Sequence, residues 1–511
     1  MTRRSLRVGA SLLVSLVLAA ACRTDTETPT GAVRNAAGET AEVANDDRLD
    51  VPTELPTGDV QWRTYNDVEA ARAQQRINQG GWGVGAGGVL RGPDDWSVPL
   101  GACSTDAHTG LDVDTIRVAH LAPRSPGSPG SAASPGTWAV IGAAMADVVA
   151  RAGPITDSMG RTRTVELVER EADDGFFAYQ VLAELDQRDP VFAITQWGRS
   201  AALGVFDEAN RQCLPQLVLD EHPAFGDPEH HPWTVGLGLA ASTEAELWGR
   251  HIEATTPPGA KVAALVMNND IGRAYLDGFE RFVARSAHGI VLEVVTTEPA
   301  GGVWLADDVD PVADMGADVF IAMTAGTGCR TVVADAERLG LHRTVPQRWL
   351  PSGCARGAIR EGGDGWLAFR ATLARTTDPL TPTDPTVAAA LERVRAAAGH
   401  DLSGPDVVLS LQGLLAGHVL VESLRVAGAL PGGLSRPNLL LALRTMELSS
   451  PYLQPGVTLR TAGGADPFAL EHAELVRYDV GAAAFAFLSG PHGLAEPAAP
   501  CHWDRDALRC R

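Results

Sequence analysis

From about Asp114 onward, short and uninterrupted apolar runs alternate with segments of helical spacing, and this alternation constrains the fold more than any other feature. The apolar runs are predicted to be strands and include Ile116–Leu121, Val165–Val168, Val191–Thr195, Leu214–Leu219, Val262–Met267, Ile290–Val295 and Val319–Met323. Strands that are apolar at every position, instead of at every second one, are typically buried on both faces of a parallel sheet. The alternation therefore predicts parallel sheets covered by crossover helices.

The helical segments lie between most of these strands. They are Trp138–Ala152, Phe176–Asp186, Ala201–Arg211, Thr243–Ala254, Arg273–Ala284 and Cys329–Leu339. Repeated strand–helix units with short connections predict an α/β fold with doubly wound, Rossmann-like sheets. The alternation of predicted strands and helices is interrupted between Trp233 and Ser242 and then resumes, which predicts a second sheet. Val407–Ala427 is a long apolar helix, a shorter helix follows it at Pro437–Met446, and Thr458–Phe487 is predicted to form hairpins.

The N-terminus has the pattern of an export signal. Arg3, Arg4 and Arg7 precede the short apolar run Leu12–Leu18, which is too short to span a bilayer, and alanines then lead into Cys22. A run of small residues ending in cysteine resembles a bacterial lipoprotein box, which implies diacylglycerol on the Cys22 thiol after cleavage. An ordinary signal peptide with an incidental cysteine is the alternative. We therefore expect a signal over residues 1–21 and a lipid anchor at the outer face of the cell membrane.

Residues 22–56 are rich in Thr, Glu, Asp, Ala and Pro, and such a composition predicts a disordered tether. Residues 57–111 form a predicted N-terminal extension. Within it, Gly83–Gly88 matches G-x-G-x-x-G, but no strand precedes the motif and no helix follows it, so a dinucleotide site is not expected. No cofactor is predicted. The net charge of −21 makes nucleic acid an unsuitable partner, because phosphates repel an acidic chain.

The seven cysteines favour disulfides. Lipidation of Cys22 leaves an even number in an exported protein, and we predict the pairs Cys103–Cys213, Cys329–Cys354 and Cys501–Cys510. Metal ligation is the alternative for these cysteines, but no C-x-x-C motif supports it.

A second candidate metal site is the histidine-rich stretch His222, Glu229, His230 and His231. Such a run is more often a polar loop before a strand, here the strand that starts at Trp233. The sequence therefore predicts no metal site.

The candidate binding residues follow the predicted strands, because ligands in open α/β sheets bind beyond the carboxyl ends of the strands. They are Gln196, Trp197, Gly198, Arg199, Ser200, Asp220 and Glu221 in the first half, and Ile271, Tyr275, Thr324, Ala325 and Gly326 in the second. Trp197 would stack on a ligand and Arg199 would pair with a carboxylate. Alternatively, Trp197 packs against the helix and Arg199 caps a neighbouring acid.

Five stretches resemble a known family in their order and spacing. They are DVDTIRVAHLAP, EADDG, DPEHHPWTVGL, KVAALVMNNDIGRAYLDGFE and ADVFIAMTAGTGCRTVVADAERLG. Together they are similar to the substrate-binding lipoproteins of ABC importers, in the branched-chain amino acid and amide branch with the type I periplasmic-binding fold. The resemblance covers about residues 100–490. It implies two lobes joined by a multi-strand hinge, with 112–240 and 358–447 in lobe 1, 241–357 and 448–490 in lobe 2, and 491–511 as a C-terminal tail.

The resemblance also implies a function. We expect a monomeric, extracytoplasmic protein that captures a small polar metabolite between its lobes and delivers it to an ABC permease without catalysis. Asp220 and Glu221 stand where amino-acid binders of the family carry a hydroxyl-bearing loop, and Ile271 stands where an aromatic residue is common. The resemblance therefore does not identify the ligand. Two alternatives are a ligand-sensing lipoprotein of the same fold and a secreted α/β hydrolase, although G-x-S-x-G, H-E-x-x-H and P-loop motifs are absent from the sequence.

Overall fold

A computed structural model describes residues 59–511 except for 86, 94, 105–106, 123–138, 173–174, 221, 298–307, 357–358, 360–362, 375–383 and 403. The predicted signal, Cys22, the predicted tether and Glu221 lie outside the described residues.

The N-terminal extension contains a helix and a three-stranded antiparallel sheet. These elements are α1 (Asp59–Gln79), β1 (Gly83–Gly85), β2 (Val89–Arg91) and β3 (Ser97–Pro99). The glycine-rich motif thus starts as a strand, and Gly83 pairs with Arg91 of the next strand. A dinucleotide-binding motif would instead lead from a strand into a helix, whereas this motif leads into a second strand that pairs with the first in antiparallel fashion.

A six-stranded sheet follows, with its strands in the order β5-β6-β4-β7-β8-β9. In chain order its elements are β4 (Thr115–Ala122), α2 (Ala139–Ala152), β5 (Ile155–Thr156), β6 (Thr162–Glu171), α3 (Gly175–Gln187), β7 (Ala193–Gln196), α4 (Arg199–Arg211), β8 (Gln216–Val218) and β9 (Thr234–Gly236). All neighbours are parallel except β5 and β6. Because β4 lies between β6 and β7, the winding reverses beside β4, which creates a topological switch point.

A second sheet has seven strands in the order β11-β10-β12-β13-β14-β17-β18. Its first part comprises α5 (Ala241–Thr255), β10 (Lys261–Met267), α6 (Asp270–Arg285), β11 (Val291–Thr297), α7 (Asp310–Ala313), β12 (Val319–Met323), α8 (Gly328–Arg338), α9 (Leu341–Thr344), β13 (Gln347–Leu350) and β14 (Leu367–Ala371). The five strands from β10 to β14 are parallel and repeat the winding of the first sheet. Its switch point lies beside β10.

The remaining elements complete both lobes. They are α10 (Pro385–Ala398), α11 (Gly404–Ala429), α12 (Arg436–Arg444), β15 (Glu447–Ser449), β16 (Thr458–Arg460), β17 (His472–Asp479), β18 (Ala484–Gly493), β19 (Trp503–Asp504) and β20 (Arg509–Cys510). Helices α10 and α11 pack on α2 of the first lobe, and β17 and β18 extend the second sheet in antiparallel fashion.

Helix α11 is the core helix of the first lobe. It is the one described helix that is long and apolar enough to cross a membrane, but 83% of that apolar window is buried inside the protein. Glycines allow its close approach to α2, because a Cβ on Gly413 would lie 2.5 Å from the carbonyl oxygen of Ile141. Burying each large apolar side chain in such a contact stabilises the fold by roughly 1.5–3 kcal/mol.

The chain passes between the two lobes after β9, between β14 and α10, and after α12. Isolated backbone bridges join these segments, Leu239 to Leu470 and Leu373 to Leu453. Segments that pair with one another in this way form a multi-strand hinge. The predicted lobe border at 358 differs from the structure in one respect: β14 pairs with β13 and β17, so Leu367–Ala371 lies in the second sheet. The other predicted borders stay predictions.

Three disulfides brace these elements, and they join the cysteine pairs expected from the sequence. Cys103–Cys213 ties the N-terminal extension to the turn before β8. Cys329–Cys354 joins the first turn of α8 to the 3₁₀ turn Ser352–Arg356, and Cys501–Cys510 closes the C-terminal hairpin of β19 and β20.

Candidate ligand-binding cleft

The carboxyl ends of the strands at the two switch points face one another across the hinge. Arg199 begins α4 in the first lobe, and Asp270 begins α6 in the second. Burial raises the pKa of the Asp270 carboxyl, and the positive charges of Arg199 and Arg505 oppose that rise. Both guanidinium groups are therefore within electrostatic reach of Asp270. The cleft between the lobes brings together an arginine and an acid from opposite sides.

The turn from β7 to α4 forms the wall of the first lobe. Gln196 is fully buried, and its amide oxygen accepts a hydrogen bond from Gln216 Nε2 at 2.8 Å, so its side chain belongs to the interior of the sheet. Trp197 is half-buried against the core, and Ser200 is exposed. Gly198 is the N-cap residue of α4 at a φ of 96°, which a residue with a Cβ rarely adopts.

Asp220 holds Arg199 in place. Its carboxylate accepts the backbone N–H of Arg199 at 3.2 Å and lies 3.6 Å from the guanidinium. The carboxylate therefore interacts with the positive end of the α4 dipole as well as with the arginine. This pairing agrees with the alternative that Arg199 caps a neighbouring acid. The two side chains keep 23% and 19% of their surface exposed, so this pairing does not bury either of them completely.

On the opposite wall, Asn269 caps α6. Its side-chain oxygen accepts the backbone N–H groups of Ile271 and Gly272, both at 3.1 Å. Ile271 is half-buried. Tyr275 lies deeper, where its hydroxyl donates to Glu244 at 3.0 Å and its ring stacks on Trp248. Tyr275 therefore has partners within the second lobe, and its contact with a ligand stays a prediction.

The loop after β12 contributes a buried hydroxyl. Thr324 is 0% exposed, and its Oγ1 has no hydrogen-bond partner among the residues that the structure describes. Ala325 is half-buried and Gly326 is exposed. Helix α8 starts directly after this loop, and the disulfide from Cys329 holds its first turn. This side of the cleft is thus braced and carries a hydroxyl with unused hydrogen-bonding capacity.

Sequence reasoning missed two residues near the switch points. Asp270 was not among the candidate residues, although it lies at the same strand end after β10 as its neighbour Ile271, which was. His120 lies on β4, is 1% exposed and shares a 3.0 Å hydrogen bond with Thr195 Oγ1. Burial lowers the pKa of His120 to about 4, so the ring is neutral near pH 7. A histidine inside an apolar strand gives no sequence signal of this pairing.

Two sheets of equal winding, joined by a multi-strand hinge and facing each other at their switch points, define a two-lobed α/β binding protein. A family model described as "Periplasmic binding protein" matches residues 115–470. The chain belongs to this family, and its fold is the type I periplasmic-binding fold. Membership implies a location outside the cytoplasm.

Solved structures share the fold at low sequence identity. A branched-chain amino acid ABC transporter protein from Thermus thermophilus with bound valine is 16% identical, with a TM-score of 0.60 over 75% of this chain and 98% of that one. A fatty acid ABC transporter substrate-binding protein from Thermomonospora curvata is 14% identical, with a TM-score of 0.59 over 81% and 97%. A solute-binding protein from R. palustris in complex with benzoate is 16% identical, with a TM-score of 0.56 over 76% and 99%. No curated protein matches the chain.

Proposed function

We propose that this protein is an extracytoplasmic solute-binding protein that captures a small polar metabolite between its lobes and delivers it unchanged to an ABC permease. The family membership supports the class of protein. The observation that carries the proposal is the placement of Arg199 and Asp270 on opposite lobes, at the switch points where doubly wound sheets bind ligands.

The charges in the cleft favour a ligand with two kinds of polar group. Arg199 carries a guanidinium group on the first-lobe wall, and the N–H donors of a guanidinium suit a carboxylate or amide oxygen. Asp270 faces it with a half-buried carboxylate, which suits an ammonium or an amide N–H. An amino acid or an amide carries both groups. The valine and benzoate bound to the structural relatives are both small carboxylates.

Neighbouring side chains extend this proposed site. Trp197 offers a ring for stacking, and Ser200 offers an exposed hydroxyl in the first turn of α4. The Thr324 hydroxyl supplies a hydrogen bond from the second lobe. A ligand that contacts both walls binds the closed form more tightly than the open form. It thereby shifts the equilibrium toward closure, the form we propose docks on the permease.

We further propose that the mature protein is a monomer attached to the outer face of the cell membrane by lipid on Cys22. Residues 22–56 would then act as a tether that lets the folded body reach the permease. Their composition supports this role, because a segment with so few large apolar groups does not form a core.

A thermal-shift screen of amino acids, amides and aromatic acids tests the proposed function. A ligand present at about 100 times its Kd stabilises the protein by about 2.7 kcal/mol, which raises the melting temperature. Calorimetry then compares Arg199→Ala and Asp270→Asn with Arg188→Ala, a control whose side chain is 75% exposed. Loss of a charge-assisted hydrogen bond weakens binding by roughly 10-fold to 100-fold. The proposal is wrong if no solute of the panel binds, if both cleft variants bind like the control, or if the protein converts the solute.

A further inference from the structure

The C-terminal hairpin brings a fourth histidine to the histidine-rich loop after β8, which already holds three. The backbone N–H of Cys501 donates to the carbonyl of Gly226 at 2.9 Å, which fixes the hairpin against this loop. The next residue, His502, then lies beside Asp227, 275 positions earlier in the chain. The sequence alone offered no sign of this approach.

Three imidazole rings surround the single carboxylate of Asp227. The Nδ1 atoms of His502, His230 and His231 lie 2.7, 2.9 and 3.6 Å from its oxygens. One ligand atom each from Asp227, His230 and His502 can be chosen so that all three lie within 4.8 Å of one another. The ligands of a tetrahedral zinc ion with bonds of 2.0–2.1 Å lie about 3.3 Å apart, so these separations are close to those of a metal site.

His231 is oriented as metal-bound histidines usually are. Its Nε2 faces Asp207 Oδ1 at 3.1 Å, while its Nδ1 has no hydrogen-bond partner in the described part of the chain. A carboxylate on one ring nitrogen holds the other nitrogen, with its lone pair, toward the centre of the group. Arg505 holds Asp207 in turn, at 3.3 Å, so a layer of supporting side chains surrounds the candidate ligands.

We propose that Asp227, His230 and His502, with His231 beside them, bind one Zn²⁺ ion. Imidazole nitrogens with a carboxylate suit zinc, whereas Ca²⁺ and Mg²⁺ prefer sets of oxygen ligands. Two residues of the histidine-rich stretch lie outside this group. His222 Nδ1 accepts the backbone N–H of Ala224, and Glu229 is exposed.

The position of the site indicates what the ion would do. Three of its residues belong to the first lobe and His502 to the hairpin, so zinc would fasten the hairpin to that lobe. The other strand of the hairpin contacts α6 of the second lobe, where Arg281 Nη2 lies 3.5 Å from Cys510 Sγ. The hairpin also carries Arg505, whose charge acts on Asp270 in the cleft. Zinc would therefore fix the position of a hairpin that contacts both lobes.

Zinc titration of the full chain tests this proposal. The protein is stripped with a chelator, carries no histidine tag, and is titrated with Zn²⁺ in a calorimeter. We expect one equivalent to bind, and we expect His502→Ala and His230→Ala each to weaken binding at least about 10-fold, the lower limit for disturbing even a supporting residue. The matched control is His342→Ala, because His342 pairs with Glu337 at 2.8 Å and no further candidate ligand joins them among the described residues.

Spectroscopy and melting curves add measurements that do not depend on the solute. Co²⁺ in place of Zn²⁺ is expected to give the visible absorption of a tetrahedral site in the wild type and the control. Zn²⁺, and not Ca²⁺, is expected to raise the melting temperature of the wild type but not of His230→Ala, a variant whose exposed position favours correct folding. The proposal is overturned if the wild type binds no Zn²⁺, or if both ligand variants bind it like the control.

Discussion

Replacing Glu422 with glutamine is expected to stabilise the protein above neutral pH. Glu422 lies on α11, is 6% exposed and lines a small cavity beneath α1. Arg425 Nη1 donates to its Oε1 at 3.0 Å, and Oε2 has no hydrogen-bond partner within the described residues. Burial raises the pKa of Glu422 to about 7; Arg425 opposes the rise and Asp67 adds to it.

The size of the stability change follows from the raised pKa of Glu422. A carboxyl whose pKa rises on folding binds its proton more tightly in the folded state, so stability falls as pH rises from the ordinary value of 4.5 to about 7. At 1.36 kcal/mol per pH unit, the full loss is about 3 kcal/mol. The Glu422→Gln side chain keeps an oxygen for Arg425 and carries no charge. The free energy of unfolding of Glu422→Gln is therefore expected to equal that of the wild type at about pH 4 and to exceed it by about 3 kcal/mol at about pH 8.

Urea unfolding of wild type and Glu422→Gln at both pH values measures this difference. Glu392→Gln is the control, because Glu392 has 61% of its side chain exposed and pairs with Arg395 on the surface of α10. We expect the control to change stability by less than about 0.5 kcal/mol at either pH. An advantage of Glu422→Gln that does not grow with pH would refute the reasoning, since it would mean that the folded protein does not raise the pKa of Glu422.

Two further predictions concern buried structure. Arg444 is 0% exposed and donates to the carbonyls of Pro232, His231 and Thr234. Arg444→Met is expected to cost roughly 3–5 kcal/mol in urea unfolding, because it removes a charged donor from these buried carbonyls, whereas Arg188→Met at an exposed site costs little. Removing Cys103–Cys213, which spans 110 residues, is expected to cost about 4–5 kcal/mol, against about 2–3 kcal/mol for Cys501–Cys510, which spans 9. Equal losses for the two disulfides would contradict the role of loop length.

Elements buried on both faces were predictable from the sequence. Each apolar run predicted as a strand overlaps a strand of the structure. Strands β7, β8 and β12 are fully buried, as a continuous apolar stretch predicts, whereas β6 and β11 keep half-buried and exposed positions. The pair Cys103–Cys213 was predictable for a related reason. Both cysteines precede strands of one sheet, and the amino ends of parallel strands meet at one edge.

Contacts between distant segments could not be predicted in this way. The lobe border at 358 came from the family resemblance and put β14 in the first lobe, whereas β14 pairs with β13 and β17 of the second sheet. The pairing of Arg199 with Asp220 depends on how two neighbouring strands end, and the approach of His502 to Asp227 depends on the whole chain between them. The local hydrophobic pattern of a segment indicates how deeply it is buried. These contacts depend instead on how the assembled lobes bring together residues that are far apart in the chain.

Hinged capture of a solute is tested most directly by the distance between two spin labels on opposite rims of the cleft. Gln180 on α3 and Arg330 on α8 are exposed, and both helices start at the carboxyl edges of their sheets. Labels at Gln180→Cys and Arg330→Cys are measured by pulsed electron paramagnetic resonance with and without a solute that raises the melting temperature. We expect the solute to shorten the distance and narrow its distribution. An unchanged distance at saturating solute would contradict closure of the two lobes around a ligand.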